Sequence, residues 1–178
     1  HHGAGHYVSY CLQQDFLSGW QSLLGRYEYL EGDVLDFRRS LEGTLAALAA
    51  ERHTETDLVR MQFWLDELQS AYMAKDLNKQ SQADVGFHQA IAEAAHNVLF
   101  GQLSGSLLRM LHQHTQKNLA NMFYVSDLKS ELRHQHQAIF DAIRKRQPQK
   151  AYKVAQQHID YVRDTLVKSR ELQQREAR

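Results

Sequence analysis

The sequence predicts an all-α protein folded as an antiparallel bundle of six to seven helices. Apolar residues recur at three and four spacing almost everywhere along its 178 residues. There is one proline, Pro148, and β-branched content is modest. A chain of this length buries roughly 70% of its unfolded surface on folding, so it needs no staples.

Each helix has its own signature. Residues His1 to Tyr10 lack a period; with His1 and His2 they read as a linker and purification-tag remnant. Leu12, Phe16, Trp20, Leu23, Leu24 and Tyr27 suggest a short amphipathic helix, so 1–32 form a lead-in to the main domain at 33–168. Asp33 reads as an N-cap, and Val34, Phe37, Leu41, Leu45 and Leu48 form the buried stripe of a helix reaching about Arg52. Thr54 and Asp57 make a near capping box ahead of Leu58, Met61, Leu65, Leu68 and Tyr72, a helix ending near Lys75. After a turn at 76–78, Ala83, Phe87, Ala90, Ile91 and Ala94 mark a third helix stopping near His96. Asn97 caps a fourth, from Val98 through Leu107 to about Met122. A fifth opens at Ser126 with Leu132, Ile139 and Ile143 inward. Pro148 starts the last, where a missing N–H does little harm, and that helix fades into a charged tail at 169–178.

Composition narrows the function. Lys plus Arg equals Asp plus Glu at 21 each, so the chain lacks the basic excess of a self-sufficient nucleic-acid binder. No apolar run approaches the roughly 20 residues that span a bilayer. Cys11 is the only cysteine, which rules out an intramolecular disulfide or a thiolate zinc cluster; with no signal-peptide pattern, a cytoplasmic setting is the default.

The 11 histidines carry the chemistry. Asp84 and His88, four apart, share one helix face and can grip one ion. On its own this pair reads as a surface hydrogen bond. His136, however, lies on the stripe of Leu132, Ile139 and Ile143, and His158 on that of Ala151, Ala155, Val162 and Leu166, so both point inward. A lone inward histidine is a satisfied core residue; two, with an Asp/His pair on a third helix, share an explanation in a metal at the bundle centre. One Asp and three His suit a first-row divalent ion such as Zn²⁺, Ni²⁺ or Mn²⁺. Arg38 also faces inward, and either an internal ion pair with Glu42 or an anionic ligand accounts for it. Asn97 reads as a helix cap that could also hydrogen-bond such a ligand. His53, His96, His112, His114 and His134 read as solvated or interfacial.

The string Asp84-Val-Gly-Phe87-His88-Gln-Ala-Ile91-Ala-Glu-Ala-Ala-His-Asn97 resembles the FCD effector domain of GntR-type transcription regulators, the subfamily named after the fatty-acid regulator. The likeness extends to Phe37-Arg38-Arg39-Ser-Leu41-Glu42, to His134-Gln-His136-Gln-Ala-Ile139-Phe-Asp-Ala-Ile143, and to Ala151 through Ile159, about residues 33 to 167 in all. It implies a divalent ion, most commonly zinc, on Asp84, His88, His136 and His158. It also implies a small organic acid, lactate-like or pyruvate-like, meeting Arg38, and a homodimer whose winged-helix DNA-binding domain has no counterpart in this chain. The expected role is regulatory, without catalysis. The rivals are a metal-dependent hydrolase and a purely structural dimerisation bundle; the first lacks HExxH and a placed general base.

Overall fold

The computed structural model describes residues 30–102, 104–105 and 128–176. Among these there is no strand. Five helices follow in order: α1 (Leu30–Arg52), α2 (Glu55–Ala74), α3 (Leu77–Ala94), α4 (Leu128–Arg144) and α5 (Pro148–Glu176). Residues 98–102 begin a further helical stretch behind α3. The expected short helix at 12–27 and the body of the fourth predicted helix, with His112 and His114, fall outside the described residues.

Short turns dictate the topology. Two residues separate α1 from α2 and two separate α2 from α3, so successive helices reverse direction. A non-glycine residue with positive φ follows three of the helices: Lys75 (55°) after α2, His96 (46°) after α3 and Arg146 (51°) after α4. Thr54 starts α2 with a full capping box: its side chain accepts from Asp57 N–H while Asp57 accepts from the Thr54 backbone. Asp76 caps α3 by accepting from Lys79 N at 3.1 Å. Two arginines satisfy carbonyls at the same end of the bundle. Arg52 donates to Ala95 O, and Arg146 donates to Glu51 O and His53 O.

The core is rich in alanine, and that brings the helices close. Ala46, Ala49 and Ala50 of α1, Ala90 and Ala94 of α3, Ala142 of α4 and Ala151 of α5 join Leu45, Met61, Phe87, Ile139 and Ile143 in one buried cluster. α1 packs mainly on α5 and α2 on α3, with α4 against α5. Two ion pairs, Arg39 with Asp160 and Arg163 with Asp36, brace α1 to α5 from outside.

Two expectations need correction. α1 starts at Leu30, so Asp33 is inside the helix instead of capping it. Phe37 is 44% exposed, and Leu35 takes a buried place in its stead. α5 runs to Glu176, so most of the charged tail is the end of that helix, with Ser169 buried.

Candidate metal centre

Three helices deliver the four predicted ligands to one point. Asp84 and His88 come from adjacent turns of α3, His136 from α4 and His158 from α5. One ligand atom from each lies within 4.8 Å of all the others. Bonds of about 2.1 Å hold ligand atoms at most about 4.2 Å apart, so a small contraction closes the set on one ion. His136 Nε2 is 3.1 Å from Asp84 Oδ1, and His88 Nε2 is 3.9 Å from the same oxygen. The three imidazoles form a tight group, with ring centres 4.6 Å apart for His136 and His158 and 5.2 Å for His88 and His158. Phe87 walls the group, its ring edge-on to both His88 and His136.

Burial and charge prepare these groups as ligands. The three histidines are sealed, whereas the Asp84 side chain retains 25% exposure. Burial alone would raise the Asp84 carboxyl, but the His136 imidazole beside it and the charges of His88 and Arg38 outweigh that and hold it well below the usual carboxylate range. Burial pushes His136 down against the pull of Asp84. Burial, then the neighbouring His136 and His88, push His158 well down. Metal binding requires an anionic carboxylate and neutral imidazoles. The donor set fits in a second way: His88 Nε2 and His136 Nδ1 are buried with no hydrogen-bond partner, and His136 Nε2 faces Asp84. An unsatisfied buried polar group costs about 1–3 kcal/mol, so two together need a reason.

Arg38 and Glu42, one turn apart on α1, form a buried ion pair beside this group. The internal pairing expected of Arg38 is therefore present, and Asp84 also lies within its electrostatic reach. Burial would raise Glu42, but Arg38 and His88 overcome it and hold the carboxyl at about 2. Asn97 serves as a cap, its Oδ1 accepting from Phe100 N at 3.2 Å. His134 is exposed and His96 half-exposed on Asp57, as expected; His53 is instead buried, its Nδ1 donating to Ala49 O.

Residues 33–161 match the FCD domain family. The chain belongs to that family. Relatives of this FCD domain include an Escherichia coli (strain K12) protein named for regulation of the L-lactate dehydrogenase operon, 34% identical over 146 residues, covering 82% of this chain and 55% of that protein. The Glc operon transcriptional activator of the same organism is 29% identical, covering 75% of this chain and 54% of the activator. This FCD domain thus spans little more than half the length of these relatives. Among solved structures, a GntR protein of Streptococcus agalactiae superposes with a TM-score of 0.66 at 28% identity, covering 78% of this chain and 60% of that one. The relatives are transcription regulators, and the FCD domain is their effector-binding regulatory part.

Two supporting contacts were not anticipated from the sequence. Glu42 Oε2 lies 2.7 Å from His88 Nδ1, and Gln135 Oε1 lies 3.1 Å from His158 Nδ1. Each engages the Nδ1 side of its histidine and leaves Nε2 for a ligand, the arrangement metal-binding histidines adopt. Glu42 had a signal in its place on the inward stripe four residues before Ala46. Gln135, between two histidines, had none.

Proposed function

We propose that this FCD domain senses a small carboxylic acid through a divalent ion held by Asp84, His88, His136 and His158. One observation carries the reading: a carboxylate and three imidazoles converge from three helices, with buried ring nitrogens left unsatisfied. A purely structural core would pair those nitrogens. Zn²⁺ is the first choice for three nitrogens and one oxygen, and Ni²⁺ or Mn²⁺ accept the same set.

When bound, the ion supplies a Lewis-acid position for a carboxylate oxygen. The chain's own residues do the rest. His88, His136 and His158 would provide imidazole nitrogens, and Asp84 would balance part of the charge. Arg38 keeps a fixed positive charge next to Asp84, favouring an anion there. The cavity behind His88, lined in part by Glu42, Ile91 and Ile139, measures about 10 Å³, room for one water. An acid would not fit that cavity, and among the described ligands Asp84 is the one with exposure, which favours approach from its side. A lactate-like or pyruvate-like acid is the class we favour, because a relative is named for an L-lactate dehydrogenase operon.

In the parent regulator the acid would shift a pre-existing equilibrium of a cytoplasmic homodimer and so alter the spacing of winged-helix domains on DNA. Asn97 has no part in this reading. Metal analysis of protein purified without nickel columns or chelators, followed by melts with L-lactate and pyruvate, tests it. About one ion per chain is expected in the wild type, with large losses in His136→Ala and His158→Ala. Metal content unchanged by both substitutions would sink the site.

A further inference from the structure

We propose that Glu42 is a positioning residue that decides which nitrogen of His88 is available to the ion, and that Arg38 enforces the choice. The consequence for metal rests on the reading above; the geometry does not. Arg38 and Glu42 side chains are each only 7% exposed, and the two carboxylate oxygens have separate tasks. Oε1 accepts from Arg38 Nε, and Oε2 sits 2.7 Å from His88 Nδ1. An ionised carboxylate has no hydrogen to offer, so His88 Nδ1 is the donor, and in the neutral imidazole that a metal requires Nε2 is the nitrogen with the lone pair. Nε2 is the atom left without a partner, on the side of Asp84. Locking that tautomer ahead of metal binding spares the site a rearrangement.

The arrangement has an unusual weakness that makes it testable. In Glu42→Gln the volume is kept but the two acceptors become one oxygen and one NH₂. Arg38 can only donate, so it claims the amide oxygen. The NH₂ then faces His88 Nδ1, which must accept, and the imidazole hydrogen moves to Nε2. Removing Arg38 as well lets the amide rotate and return its oxygen to His88.

The experiment measures Zn²⁺ affinity by competition with a chelating dye, with no acid present, alongside ¹⁵N spectra of the histidine rings in metal-free protein. Relative to wild type, zinc affinity is expected to fall about 10–100-fold in Glu42→Gln, the usual effect of losing such a support. Arg38→Met/Glu42→Gln recovers most of that loss. Equal affinity in Glu42→Gln and wild type, or a double variant no better than Glu42→Gln, overturns the inference. If the wild type takes up no zinc, the metal reading above fails, and the ring spectra decide alone. They should place the His88 hydrogen on Nδ1 in wild type and the double variant and on Nε2 in Glu42→Gln. One tautomer in all three proteins overturns the proposal.

Discussion

Gly86 sits between Asp84 and His88 on α3, where a side chain has no room. A Cβ there would meet the Trp64 indole of α2 at 2.4 Å, well inside contact distance. Alanine is the better helix former by about 1 kcal/mol, yet overpacking typically costs about 1–3 kcal/mol. Gly86→Ala is therefore expected to be destabilising by about 1–2 kcal/mol, read from the urea midpoint. A stabilised variant would show that Trp64 swings aside freely. At this scale the sequence was informative where a polar residue interrupts an apolar stripe, as His136, His158 and Arg38 do. It was silent where the partner comes from another helix. The Gln135 contact to His158 depends on how α4 is rotated against α5, and His53, just past the end of α1, is held by a bond back to Ala49 O and not by any stripe.

Helix ends are fixed by single side chains, and α2 gives the clearest case. Thr54 and Asp57 close the capping box, and His96 from beyond α3 bonds the same Asp57 carboxylate at 2.8 Å. Loss of a threonine cap costs about 1 kcal/mol, which is the expected effect of Thr54→Ala at neutral pH. Burial tends to raise the Asp57 carboxyl, but the bonds from Thr54 and His96 dominate and lower it. The folded state thus favours the ionised form, and on acidification the unfolded chain takes up the proton first. This contribution is whole above about pH 4, the unfolded value, and is lost as pH falls through the depressed folded value. The gap between wild type and Thr54→Ala should narrow over that range in denaturation curves; a constant gap would mean that the cap acts without Asp57. The capping box was legible because its residues are local. The start of α1 was not, since Asp33 is an acceptable first-turn residue as well as a cap.

For the molecule as a whole, the period of the apolar residues and the short turns were enough to anticipate the bundle. Helix rotation was only partly readable, as exposed Phe37 and buried Leu35 attest. Because the proposed ligands join α3, α4 and α5, an ion would tie three helices of the bundle together. Saturation at a hundred times the dissociation constant adds about 2.7 kcal/mol, equivalent to about 5–10 °C in Tm for a chain of this size. Dialysis against a chelator should lower the melting temperature by that amount in wild type and leave His136→Ala unmoved. An equal drop in both proteins would point to chelator effects elsewhere.

Among the described residues, the partial exposure of Asp84 beside three sealed histidines would set an order of events for the proposed ion and acid. An ion entering past Asp84 would precede the acid, and the acid, once seated on it, would stand in its path out. A metal-depleted cell would then strip the domain only after its effector had gone.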